Sequence, residues 1–130
     1  EYLSPFIETD KQIIIEPLRL RINLDGNVGK RIKEVKTHSA EKEFKPSKKY
    51  VQQVMVQMYG FETRDADIVS YALTEADYKN YFLPIDPNRL KEHPITYDER
   101  WIQGVFLPRI TYLADCLIKG ILPDRERKWK

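Results

Sequence analysis

The chain has one cysteine, Cys116, in 130 residues. That count excludes an internal disulfide framework and any zinc or iron–sulfur site built on several cysteines. No apolar run approaches the ~20 residues that a membrane helix needs, and no signal-peptide pattern opens the sequence. Internal repeats and low-complexity tracts are also lacking. A strong charge imbalance is missing too: the formal net charge is +2, so bulk charge does not announce a polyanionic partner. These absences leave a soluble globular protein with no membrane partner, expected in a reducing, cytoplasmic setting.

What is present fits one domain spanning residues 1–130. Hydrophobic residues make up 42% and charged residues 32%, the composition of an ordinary globular fold with a real core. The chain begins with Glu1, inside "EYLSPF", which reads as part of a helix. The expectation is therefore a fragment of a longer chain whose N-terminal part is missing. Residues 124–130, with "RERKWK", form a basic tail in which Trp129 could stack on DNA, although a disordered terminus is the commoner state of such a tail.

From Leu18 the sequence alternates. Leu18, Leu20, Ile22 and Leu24 fall on one face, and Arg19, Arg21 and Asn23 on the other. A period of two predicts a half-buried strand, with Pro17 at its start or on an edge. "DGN" supplies turn chemistry, with Gly26 and Gly29 free to take positive φ. "KRIKEVKTH" then returns as a second strand, giving a hairpin with a five- or six-residue connection.

"KPSKKYVQQVMVQMYGF" predicts a helix, with Ser47 as N-cap and Gly60 just past its end. "ADIVSYAL" reads as a buried strand, and "NYFLPID" as another at an edge or bulge. The stretch from Pro94 to Pro123 predicts a long amphipathic helix. Trp101, Val105, Ile110, Leu113 and Leu117 recur along it, Thr96 caps it, Pro108 kinks it and Gly120 ends it. The element order gives an α/β (α+β) fold, a mixed β-sheet flanked by helices.

The chemistry concentrates in "INLDGNVGKRIKEVKTH", residues 22–38. Glu34 and Lys36 are two apart on a strand and share a face; Val35 between them is expected to point into the core. A carboxylate beside an ammonium on a rigid strand can do phosphoryl chemistry, and Asp25 can lie across the hairpin from Glu34. Two converging carboxylates repel unless a cation sits between them, and oxygen ligands favour Mg2+ or Mn2+. On spacing alone, a common hairpin turn and a surface ion pair are the more frequent explanation of the same residues. Lys30, Arg31, Lys33, Lys45, Lys48 and Lys49 crowd this region and are candidate DNA contacts, though such clusters taken alone are most often plain solvated surface. On the helix, Tyr50, Gln53 and Gln57 form a polar stripe, while Val51, Met55 and Met58 suit the core. His38 and His93 lack metal-ligand spacing, although His38 is close enough to the hairpin to touch phosphate. Cys116 falls on the apolar pattern, and Trp101 reads as a helix-to-sheet anchor.

A strand ending in "LDG", a strand carrying "EVKT" and a helix reading "YVQQVMVQMYGF" together resemble the PD-(D/E)XK nuclease core. More narrowly they resemble the lambda-type phage exonucleases, the YqaJ-like viral recombinase family. Tyr50, Gln53 and Met58 match that family's helix pattern, and "KGILPD" matches its ending. The resemblance spans residues 13–123 and rests on the order and spacing of motifs. It implies a restriction-endonuclease-like core and a Mg2+- or Mn2+-dependent 5′→3′ double-strand DNA exonuclease of phage or prophage origin. Asp25, Glu34 and the backbone carbonyl of Val35 would be the metal ligands, Lys36 the catalytic lysine, and Gln53 a supporting catalytic residue. Double-stranded DNA, a single-strand annealing protein and a homo-oligomeric ring are the implied partners.

Two departures stand out. Leu24 occupies a position often held by proline. The family's additional glutamate on an earlier helix has no clear counterpart, since Glu1 and Glu8 are the early candidates and neither is favoured. A catalytically incomplete nuclease-fold module that binds DNA or a recombination partner is therefore the competing reading. A restriction-type endonuclease is a third, against which the helix glutamine and the C-terminal ending weigh.

Overall fold

The computed structural model describes residues 7–80, 83–124 and 127. It is a mixed α/β structure whose main sheet has five strands. The strands are β1 (Glu8–Thr9), β4 (Gly26–Val28), β5 (Arg31–Ser39), β6 (Ala66–Leu73) and β7 (Leu90–Pro94), paired in that order. β2 (Gln12–Ile15) and β3 (Leu20–Asn23) form a separate antiparallel pair. β5 and β6 run parallel, Glu34 opposite Ile68 and Lys36 opposite Ser70; the other pairings in the main sheet are antiparallel. A parallel pair needs a crossover, and α1 (Lys48–Gly60) supplies it.

α1 forms where its sequence says it should. Ser47 is extended and accepts a hydrogen bond from the Tyr50 N–H. Val54, Met55 and Met58 pack on Ile32, Ile68, Ala66 and Ile22, which make the centre of the core. Gly60 lies inside the helix rather than beyond it, and Phe61 is the C-cap. It is a close-packing position: a Cβ there would overlap Cδ1 of Ile22, itself buried. Gly60→Ala is therefore expected to destabilise the fold by about 1–2 kcal/mol, overpacking outweighing the better helix propensity of alanine. Adding Ile22→Val, which removes the clashing methyl, should recover part of that loss. Urea unfolding of both variants is the check; additive losses would contradict the packing argument.

Several expectations are corrected. β3 does not pair with β5. The chain passes from β2 through a 3-10 turn, Glu16–Leu18, that holds Pro17, and Arg19 takes a left-handed φ of 50° before β3 returns along β2. The hairpin onto β5 is made by β4, through a tight turn at Gly29 and Lys30 where Gly29 has φ 57°.

Of "NYFLPID", Tyr81 and Phe82 lie outside the described residues, and 83–86 are not strand. The edge strand is β7, whose Lys91, Glu92 and His93 hide it from a hydrophobicity reading, as charges on edge strands do. Two short helices are α2 (Glu75–Lys79) and α3 (Glu99–Trp101). α3 is capped by Asp98 rather than Thr96.

A π-helical turn, Ile102–Phe106, joins α3 to α4 (Leu107–Lys119) without a gap, just before Pro108. Gly120 ends α4 with φ 68°. The π turn shifts the phase of the apolar stripe. Ile102, Ala114 and Cys116 are buried, while Leu113 and Leu117 are exposed. Trp101 packs on the core cluster and stacks on Phe106. No helix among the described residues is long and apolar enough to cross a membrane. The "EYLSPF" segment and, apart from Asp124 and Arg127, the basic tail with Trp129 lie outside the described residues.

Candidate active site

Register explains how Asp25 meets β5. Val28 pairs with Arg31 and Gly26 with Lys33, so the next hydrogen-bonded pair in this ladder would be Leu24 with Val35. The chain has already turned away: the Leu24 N–H donates to the Lys11 carbonyl, 2.8 Å. The Val35 N–H is taken instead by the Asp25 carboxylate, at 2.9 Å. The N–H and C=O of one strand residue leave on the same edge, so the Val35 carbonyl leaves β5 on the side of Asp25.

Glu34 points under α1. It is 3% exposed, with one carboxylate oxygen accepting from Gln53 Nε2 at 2.9 Å and the other from Gln57 Nε2 at 3.1 Å. Burial raises its pKa; the Gln57 hydrogen bond opposes this, and the nearby charge of Asp25 adds to it. Lys36 stands beside it, Nζ 3.3 Å from Glu34 Oε2. The Lys36 ammonium also donates to Gln53 Oε1 at 3.1 Å and sits 4.4 Å over the Tyr50 ring.

Gln53 and Gln57 of the polar stripe of α1 thus both reach Glu34 on the sheet, Gln57 buried and Gln53 still exposed to solvent. Gln57 is the residue that sequence reasoning left in the stripe without a task. It ties Glu34 to the Asn23 carbonyl, 3.2 Å away, and its spacing of four from Gln53 was the available signal.

Asp25, Glu34, Gln53 and Gln57 line one cavity of about 450 Å3, together with Arg21 and Asn23 of β3. Val35 is 43% exposed, not in the core. α1 covers the face that carries Glu34 and Lys36, so strand alternation sends Val35 to the opposite face.

The basic candidates divide. Lys45, Lys48 and Lys49 are exposed around the start of α1, the end of the helix whose Tyr50 touches Lys36. Lys30 is exposed but bonded to the Phe61 carbonyl. Arg31 and Lys33 are corrected. Both are held by Asp67, at 2.6 Å in each case, with Lys33 also 2.6 Å from Glu92. They lie on the face opposite Glu34, so they are structural ion pairs and not part of a DNA-facing surface at this cavity.

The donor set fits a hard cation. The charge of Asp25 opposes ionisation of Glu34, the condition that an ion between the two carboxylates would relieve. Magnesium commonly takes one or two carboxylates and keeps several waters. Asp25, Glu34 and the Val35 carbonyl would hold it. No group of three or more His, Cys, Asp or Glu residues able to hold a metal exists among the described residues. Glu8 is engaged by Lys11 and Asn27, and Glu1 is outside the described residues.

No family model matches the chain, and no curated protein does. Among solved structures it is similar to one described as the crystal structure of SSO0001, at 20% identity and a TM-score of 0.47. The match covers 92% of this chain and 52% of that one, so the chain spans about half the length of that structure.

Proposed function

We propose that the chain is a metal-dependent DNA nuclease domain, of the lambda-type exonuclease kind, degrading double-stranded DNA from 5′ ends. The observation that carries this reading is the convergence of Asp25, Glu34, Lys36 and Gln53 on one side of β5. A bound Mg2+ or Mn2+ would supply Lewis-acid polarisation of the scissile phosphate. Asp25 and Glu34 hold the negative charge that draws the cation in. Gln53 and Gln57 fix the Glu34 carboxylate through one oxygen each, so its orientation is set before substrate arrives. Lys36 orients the attacking water and stabilises the charge that develops on phosphorus. Its present hold on Glu34 is the one expected of a cation neighbouring an unneutralised carboxylate.

A second reading is favoured by the acid count. With two carboxylates at the cavity among the described residues, the chain could be a nuclease-fold module that binds DNA or a recombination partner without cutting. The deciding assay is incubation of the full chain with linear and covalently closed circular duplex DNA in Mg2+. Loss of the linear form alone supports the exonuclease. Nicking of the circle supports an endonuclease on the same fold. DNA binding without cleavage of either supports the module. Glu34→Ala is expected to lose metal affinity first, with cleavage partly restored by excess Mn2+; cleavage at the parental rate at low Mg2+ would contradict its assignment as a ligand.

A further inference from the structure

A second cavity, of about 500 Å3, lies further along the same strand. Glu34, Lys36 and His38 share one face of β5, and two residues of strand place His38 about 7 Å beyond Lys36. The cavity therefore opens at the carboxyl ends of the parallel strands β5 and β6, where α/β sheets commonly bind ligands.

One wall is made of rings. Phe44 packs against His38 at 5.3 Å and His93 at 5.1 Å between centroids. It also stacks on Tyr50 at 6.4 Å with an interplanar angle of 10°, and Tyr50 lies under the Lys36 ammonium. An unbroken run of rings thus joins Lys36 to the cavity.

Asn88, Arg89 and Lys91 also line the cavity. Arg89 is fixed by Asp77 and the Ala72 carbonyl. Lys91 lies in the same cross-strand row as Lys36, both opposite Ser70. It is exposed, and its ammonium has no hydrogen bond or ion pair among the described residues.

We infer that this cavity receives one unpaired deoxynucleotide of the DNA strand, its base against the Phe44–His38–His93 wall and its phosphate on Lys91. The volume suits a small-molecule-sized ligand and not a duplex. Aromatic walls hold bases without regard to sequence, and an exposed ammonium with no protein partner among the described residues suits a phosphate. Glu41 and Glu43 also line the cavity and repel a longer run of phosphates, which limits the occupant to about one nucleotide. The identity of the strand as DNA rests on the nuclease reading; the nucleotide chemistry of the cavity does not.

The test is calorimetric titration of the full chain, without metal, with dAMP, deoxyadenosine and inorganic phosphate. Binding of dAMP is expected, with each half alone weaker by about tenfold or more, the order of one lost base–aromatic or phosphate contact. Lys91→Ala, a surface change that should not disturb folding, is expected to weaken dAMP about tenfold and leave deoxyadenosine unaltered. Phosphate binding as tight as dAMP would reduce the cavity to an anion contact and overturn the inference. Absence of dAMP binding, or dAMP binding indifferent to Lys91→Ala, would overturn it as well. A chain that binds dAMP here yet cuts no DNA refutes the nuclease reading alone; a chain that cuts DNA but binds no dAMP refutes this inference alone.

Discussion

Lys36→Ala is expected to lower DNA cleavage about 10²-fold or more while leaving DNA affinity near the parental value. Lys36 is one cation among several on this part of the chain, with Lys45, Lys48 and Lys49 exposed around the start of α1. Its share of ground-state phosphate attraction is small and salt-sensitive. Its position is special in another respect. Gln53, Glu34 and Tyr50 hold the ammonium from three sides, so it is already aimed when substrate arrives. An interaction made mainly with charge that develops in the transition state affects turnover and not binding. Duplex cleavage and gel-shift titration of the variant separate the two quantities. Cleavage at the parental rate would make Lys36 an ordinary lysine; a parallel loss of binding would make it a DNA contact.

Asp67→Ala is expected to destabilise the fold by about 3 kcal/mol or more, near the range for breaking a buried ion pair from one side. Asp67 is 1% exposed and Lys33 8%. Removing the carboxylate leaves the Lys33 ammonium buried with Glu92 as its remaining partner and takes both hydrogen bonds from the Arg31 guanidinium, which keeps Asp65 at 3.8 Å. The double variant Asp67→Leu with Lys33→Met should be far milder, because apolar replacement of a whole buried pair is often tolerated.

The same site predicts acid sensitivity. The Arg31 hydrogen bonds, against the cost of burial and with help from Lys33, lower the Asp67 pKa to about 2 from 3.8. The folded value is depressed, so this stabilisation is fully present above the unfolded pKa and is lost as pH falls from about 4 toward 2. Urea midpoints of parent and Asp67→Ala should therefore differ most near neutrality and converge on acidification. A constant difference from pH 7 to pH 2 would contradict the ion-pair explanation.

Local features were legible in the sequence. The Ser47 cap, the apolar and polar faces of α1, the β-branched run of β6 and the helix stop at Gly120 depend on neighbours within a few residues. The shared face of Glu34 and Lys36 follows from strand alternation alone. Pairing was not legible, because a period of two says which residues share a face and nothing about which strand lies alongside. β3 pairs backward with β2 only because Arg19 turns the chain with a positive φ, a conformation that arginine does not advertise.

Val35 misled for a related reason. An apolar residue between two charges reads as core, but here Gln53 and Gln57 make a buried berth for Glu34, and that berth lies across the space between helix and sheet. Arg31 and Lys33 read as a basic surface because Asp67, their partner, is more than thirty positions away in sequence. The candidate site was thus visible as a set of residue types. What the sequence hid was the edge geometry that brings Asp25 to the Val35 amide; Gln57 was visible in the stripe, and its bond to Glu34 was not.

The central claim is that Asp25 and Glu34 hold one cation. It is tested most directly by a crystal structure of the protein soaked in Mn2+, read by anomalous scattering at the manganese edge. One peak is expected between the two carboxylates, within about 2.0–2.6 Å of an oxygen from each, the range for oxygen ligands of hard cations. The Val35 carbonyl is expected in the same shell, with Lys36 moved off Glu34. No peak at saturating Mn2+, with Lys36 still 3.3 Å from Glu34, would contradict the cation site and the nuclease reading built on it.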